Sequence, residues 1–442
     1  EYRRQRQMCI RDSNNIGIFC IWGDQGLGNL AHIYTKLLRK LGYKVHIFSF
    51  QSYLARDKSL KAQSRPEDWA DPSNADSVYY SFNIREEVGM NEFLQFVRCN
   101  NLRTIIFPEV CCPENWARLY KLKELGYNVI TVPLIEIVRD IEVLNHNDFD
   151  LTLCCTQHTL DTLKSHGITN LHYIGHGFKS SQTRDYLDLK LAALKARDKI
   201  KCLHVAGHNP VQRKNTKKVI EAFIQASQER SDIELTITSI VPSNTFIEKE
   251  LPSCISVIDH SLSRDAIEDL YKSHDISIQV SSHEGLGLGF FESLQKDTPV
   301  ITLNGSPHNE FIQQDFNGIL IDCWKINISD NIHAIINAWD FNSIDLSRAI
   351  IDLDRDKISD FMENAHKSYN ERLSEEALLK NLASALKNYE TPDNLSLPIE
   401  AAIKPINTLS DECSNATNVN LPGPYIRRQF RWILRAIKNC FK

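Results

Sequence analysis

Ile16-Gly-Ile-Phe-Cys-Ile-Trp22 runs into Gly23-Asp-Gln-Gly26-Leu-Gly28-Asn29, then into a segment with leucines at 37, 38 and 41 that stops at Gly42, and Val45-His-Ile-Phe-Ser-Phe50 follows. The short apolar runs read as buried strands, the leucine spacing as a helix, and Gly42 as its C-terminal stop. A strand, a glycine-rich turn, a helix and a second strand form a unit whose strands can pair only in parallel.

The same alternation continues outward. Helices are expected around Glu87 to Cys99, Trp116 to Leu125 and Leu160 to His166, and strands at Thr104 to Phe107, Asn128 to Val132, Leu151 to Cys155 and Leu171 to Ile174. A second set opens at Cys202 and runs through strands at 234–238, 255–258, 276–280 and 299–303, with helices over 217–227, 264–273 and 290–295 between them. The fold class expected is therefore α/β, two tandem Rossmann-like domains with parallel sheets and helices on both faces, plus C-terminal helices. The boundaries read as a non-native or disordered basic tail at 1–13, a first domain at 14–180, a polar linker at 181–199 and a second domain at 200–370. A helix at 371–390 that packs back on the first domain, an Asn/Ser/Pro/Thr-rich tether at 391–423 and a basic amphipathic helix at 424–442 complete them.

Composition bounds the function. Across 442 residues, 42% apolar and 24% charged is ordinary globular usage, and 51 Lys+Arg against 56 Asp+Glu leaves a net charge of −5, which disfavours nucleic-acid binding. No apolar run reaches a spanning length, and the 12 cysteines include no Cys-x-x-Cys, so reduced thiols and a cytoplasmic location are expected.

The densest chemistry lies in Val280-Ser-Ser-His-Glu284-Gly-Leu-Gly-Leu-Gly-Phe-Phe-Glu292, a strand end, a glycine-rich loop and a helix start. A loop at the carboxyl end of a parallel strand faces the ligand crevice, and the N–H groups of the helix start favour an anion there. Backbone at Gly285, Gly287, Leu288 and Gly289 can approach a phosphate closely, while Glu284 and Glu292 can accept hydrogen bonds from hydroxyls. A nucleotide sugar supplies both kinds of group.

With Asp297-Thr-Pro-Val-Ile301, Glu310 and Asn317-Gly-Ile-Leu320 downstream, this segment resembles retaining glycosyltransferases of family 4, which have the GT-B fold: two Rossmann-like domains facing a central cleft. The resemblance covers about 200–320. It implies that Glu284 engages the donor sugar, Glu292 the ribose, and amides near Gly287 to Gly289 the diphosphate. It also implies a Gly-Arg pair after the first strand of the domain and a later lysine, both on the diphosphate. Lys214 matches the lysine, but His208 stands where the arginine is expected, so Arg213 substitutes for it or His208 donates a weaker, pH-dependent hydrogen bond. Glu284 and Lys214 are the catalytic candidates; His208, Arg213, Lys214, Gly287, Leu288, Gly289 and Glu292 are the donor-binding ones.

In the first domain, Gly23 to Asn29 departs from Gly-x-Gly-x-x-Gly and no acid closes the second strand, which argues against NAD. The resemblance makes Gly26 and Gly28 cleft residues. Pro108-Glu109, Pro133 to Glu142 and Ile174-Gly-His176-Gly-Phe178 are further crevice candidates at strand ends. His204/His208 and the Asp-x-Asp pairs Asp148/Asp150 and Asp352/Asp354 lie outside metal-binding contexts, and neither a metal nor another cofactor is expected. The expected partners are a nucleotide-sugar donor, a glycan, lipid or protein acceptor, and an anionic membrane surface touched by 424–442, where six cations flank an apolar helix face. The expected function is retaining hexosyl transfer to a hydroxyl acceptor. A non-catalytic binding or scaffold protein of GT-B fold and a nucleotide-sugar epimerase are the alternatives.

Overall fold

A computed structural model describes residues 14–23, 26–51, 74–177, 182–327 and 335–387. The tail 1–13, Phe178, the tether 391–423 and the basic helix 424–442 lie outside the described residues.

The first domain is a seven-stranded sheet of β1 (Asn15–Cys20), β2 (Lys44–Gln51), β3 (Ser77–Ile84), β4 (Thr104–Pro108), β5 (Asn128–Val132), β6 (Leu151–Cys154) and β7 (Leu171–Tyr173), in the order β3-β2-β1-β4-β5-β6-β7. The second is a six-stranded sheet of β8 (Ile200–Gly207), β9 (Ile233–Ser239), β10 (Ile255–Ile258), β11 (Ile276–Gln279), β12 (Val300–Leu303) and β13 (Gly318–Ile321), in the order β10-β9-β8-β11-β12-β13. Every pairing within both sheets is parallel. This is the GT-B architecture. The order reverses beside β1 and beside β8, so the loops after these two strands open at the crevices where doubly wound sheets bind ligands.

The central strands are apolar on both faces because helices cover both, as parallel sheets require. One buried cluster runs through the interface itself: Ile106, Ile130 and Val132 of the first sheet share it with Leu286, Phe290, Phe291 and Phe311 of the second domain. Apolar contact thus holds the two halves face to face.

Three segments differ from the sequence reading. The stretch expected as a linker carries a helix, Arg184–Ala196, whose Leu187, Leu191 and Leu194 recur at helical spacing and join the second core. β3 is an edge strand that the sequence reading passed over. A hairpin, β14 (Trp324–Ile326) with β15 (Ala338–Asp340), follows β13, and the Ile335 N–H beside it donates to the Val138 carbonyl at 2.9 Å, linking second domain to first.

The chain then returns. After the helix Arg355–Ser368 and a π-type turn at Tyr369–Leu373, the helix Glu375–Lys387 packs on the first domain against the helix Gly26–Lys40 and β7. Glu375 takes the ammonium groups of Lys36 and Lys40, each at 2.5 Å. Gly177 lies so close to this return that a Cβ there would stand 2.4 Å from the carbonyl oxygens of Leu373 and Ser374.

Candidate active site

The loop after β8 is held by its own backbone. The Lys214 N–H donates to the Asn209 carbonyl at 3.0 Å and the Thr216 N–H to the Pro210 carbonyl at 2.9 Å. Asn215 ends the loop at φ 55°, a left-handed conformation that asparagine tolerates, and its Nδ2 donates to the Val280 carbonyl at 2.7 Å. That bond ties the loop after β8 to the loop after β11. Beneath it, His204 is fully buried, with Nδ1 2.8 Å from the Ile278 carbonyl and Nε2 2.9 Å from Thr216 Oγ1, so both its ring nitrogens serve packing.

The result brings Arg213, Lys214 and Glu284 together. Lys214 Nζ lies 2.6 Å from Glu284 Oε1 and 3.1 Å from Ser281 Oγ, and Arg213 Nη1 lies 3.3 Å from Glu284 Oε2. Burial alone would raise the Glu284 carboxyl, but the charges of Lys214 and Arg213 outweigh it and hold the group well below the usual carboxylate range. Glu284 is therefore a buried carboxylate at the strand end whose ionised form is favoured by its two cations.

Beside this cluster lies a cavity of about 250 Å³, bounded from the first domain by Gly26 and Asn29 and from the second by His208, Arg264, Leu288 and Glu292. Its far wall comes from the ends of β8 and β9 and from His260. His208 sits here, its ring pushed below its ordinary pKa first by burial and then by Arg213, which favours the neutral form. Lys214 and Arg213 are engaged on Glu284 instead of lining the cavity. The helix Leu288–Gln295 starts at the cavity, with Gly287 at φ 70° as its cap. Gly289 is required for packing as well as approach: a Cβ there would meet Gln279 Oε1 at 2.4 Å.

The glycine loop of the first domain closes the other side. A Cβ on Gly26 would stand 3.2 Å from Leu288 Cδ1 of the opposite domain, and one on Gly28 would stand 1.9 Å from the Gly23 carbonyl oxygen. Gly26 thus meets the donor-side helix, while Gly28 permits the turn itself. Arg264 Nη1 donates to Asn29 Oδ1 at 2.9 Å across the cavity, and His32 is lowered to about 4 by burial and then by Arg264.

Residues 193–343 match the family model described as glycosyl transferases group 1. That segment contains Arg213, Lys214, Glu284 and Glu292, and the cavity wall opposite Gly26. No curated protein matches the chain. Among solved structures, the chain is similar to Anabaena HepE in complex with UDP and glucose, at 13% identity and TM-score 0.60 over 85% of this chain and 99% of that one. It is likewise similar to the sucrose-phosphate synthase of Thermosynechococcus elongatus, at 11% identity and TM-score 0.60 over 85% and 99%. A third is the pneumococcal O-GlcNAc transferase GtfA in complex with UDP and GlcNAc, at 12% identity and TM-score 0.57 over 86% and 100%. These likenesses establish a shared fold.

Away from the cavity, carboxylates of the two Asp-x-Asp pairs and the crevice candidate His176 have structural partners. Asp148 accepts from the Tyr120 hydroxyl at 2.5 Å, Asp150 from Lys123 at 2.6 Å, and Asp354 caps a helix through the Lys357 N–H at 2.7 Å. His176 is buried edge-on against Phe291, with ring centroids 5.0 Å apart. Sequence reasoning passed over Asn29, His260 and Arg264. Ser239 and Ile240 at the end of β9 were accessible to the strand-end rule, whereas nothing in a lone Arg264 marks it.

Proposed function

We propose that the protein is a glycosyltransferase that moves a hexose from a nucleoside diphosphate sugar to a hydroxyl of a glycan, lipid or protein, with retention at the anomeric carbon. The observation that carries this reading is the buried Glu284 carboxylate, held ionised by Lys214 and Arg213 beside a cavity that both domains wall. The group 1 match over the same residues supports it.

In this reading the nucleoside lies in the cavity, with Glu292 toward the ribose, and the diphosphate meets the start of the helix Leu288–Gln295, where the orientation of the first-turn N–H groups favours negative charge. Glu284 stabilises positive charge as it grows on the anomeric carbon. The bond from that carbon to the diphosphate oxygen breaks as the bond to the acceptor oxygen forms on the same face. The acceptor proton passes to the departing diphosphate oxygen, so no separate base is required. No metal is assigned a role. The three similar structures named above include two whose descriptions name UDP, which makes UDP-sugars the first donors to try.

Release of nucleoside diphosphate from a panel of nucleotide sugars, with and without glycan, lipid and peptide acceptors, tests the reading. Acceptor-dependent release supports it. Donor interconversion without acceptor points to an epimerase, and donor binding without any turnover points to a binding protein.

A further inference from the structure

A second carboxyl reaches the Glu284 loop from the opposite domain. β5 ends at Val132, and the 3-10 turn Ile135–Ile137 that follows carries Glu136. The turn is pinned at its exit: the Val138 N–H donates to the Ile135 carbonyl at 3.3 Å, and the Val138 carbonyl accepts from Ile335 of the second domain at 2.9 Å. Glu136 Oε2 rests directly on Gly285, the residue after Glu284, so closely that a Cβ at 285 would stand 1.3 Å from it. That oxygen is buried and has no hydrogen-bond partner. A buried acceptor left without a donor costs free energy, and a ligand hydroxyl would relieve that cost.

Taking the donor reading above as its basis, we propose that Glu136 completes the sugar end of the cleft from the first domain and selects a neutral, hydroxyl-bearing donor sugar over a uronic one. The groups facing it are Glu109 at the end of β4, the Cys155 thiol beyond β6, and Glu284 and Arg213 of the second domain. Arg213 is already shared with Glu284, and Glu109 is held by Arg85 Nη2 at 3.1 Å. A sugar hydroxyl can donate to Glu136 in this setting. A sugar carboxylate would instead meet Glu136, the one of these three acids without a cation of its own, an arrangement that like-charge repulsion disfavours. Burial raises the Glu136 carboxyl to about 7, with Glu109 and Glu284 adding to it and a hydrogen bond from its own backbone N–H and the charge of Arg213 opposing it, so its charge changes across the neutral range.

The test is calorimetric binding of UDP-glucose and UDP-glucuronate, which differ only at C6, or of the matching neutral and uronic pair on whichever nucleoside diphosphate the protein binds. At about pH 8 the intact protein is expected to hold the neutral sugar at least ~10-fold more tightly, and at about pH 6 that ratio shrinks as Glu136 takes up a proton. In Glu136→Gln the ratio falls to within about threefold and no longer follows pH. Equal binding of the two sugars by the intact protein, or an unchanged ratio and pH slope in the variant, overturns the assignment while leaving the donor reading in place. If no nucleoside diphosphate binds at all, the donor reading falls and takes this one with it.

Discussion

Glu284 and Lys214 are paired at 2.6 Å and largely out of water, so in the proposed reading removing either charge changes the field at the anomeric carbon. Glu284→Gln and Lys214→Ala are each expected to lower turnover roughly 100-fold, the order found when one preorganised electrostatic contact is lost. Steady-state kinetics with both variants near normal would contradict the assignment. Asp297 offers a stability test away from the chemistry. Its Oδ1 accepts from His366 at 3.0 Å, its Oδ2 has no partner, and burial, opposed by His366 and Lys190, raises the carboxyl from 3.8 to about 6. A carboxyl whose folded pKa lies above its unfolded value is harmless while protonated, and its cost appears as pH rises from about 4 to above 6. Asp297→Asn keeps the hydrogen bond and tolerates φ 53°, so it is expected to stabilise by about 2 kcal/mol at neutral pH and by little at about pH 3.5, below the unfolded pKa. Thermal melts at the two pH values check this; a gain of equal size at both would refute it. The glutamate pair and its glycines were legible in the sequence because their spacing sits between a strand and a helix. Arg264 and Asn29 were not, since what joins them is a contact between residues 235 apart in the chain.

At the scale of elements, the helix Thr216–Glu229 depends on one residue for its entry. Asn215 combines a left-handed backbone with the bond from Nδ2 to Val280, so Asn215→Ala loses both and is expected to cost about 2 kcal/mol, while Asn215→Gly loses only the bond. Urea unfolding of the two variants separates the contributions; if alanine is no worse than glycine, backbone conformation is not what Asn215 supplies. The alternating strands were readable because buried parallel strands are short continuous apolar runs. β3 was not: its Ser-Val-Tyr-Tyr-Ser-Phe-Asn-Ile lies on the sheet edge, with Phe82 exposed, and lacks that uniform apolar signature. The helix Arg184–Ala196 shows the converse, for its apolar stripe is present in a segment whose overall polarity masks it. In the same stretch Lys190 is buried, donating to the carbonyls of Tyr271 and Lys296 at 3.1 and 2.8 Å, so a charged residue that suggested solvent instead fastens the helix to the second domain.

The whole molecule rests on the interface between its halves. Glu375 binds Lys36 and Lys40 where the last helix returns to the first domain, and burial of that carboxyl is outweighed by the two cations, which lower its pKa. Glu375→Gln is expected to speed amide exchange across Glu375–Lys387 and Gly26–Lys40 while leaving the strands β8 to β12 unchanged, as local loosening predicts. Uniform acceleration over both domains would argue against a local role. The two-domain plan could be read from alternation, but the β14–β15 link to Val138 could not, because its hydrogen bond joins backbone groups that any residue possesses. The polypeptide passes between the halves twice, once between Ile174 and Arg184 and again between Ser368 and Glu375. A protease that cuts the first passage therefore makes two polypeptides, but the second still carries the helix Glu375–Lys387 seated on the first domain, so the fragments are expected to stay associated until that helix lets go.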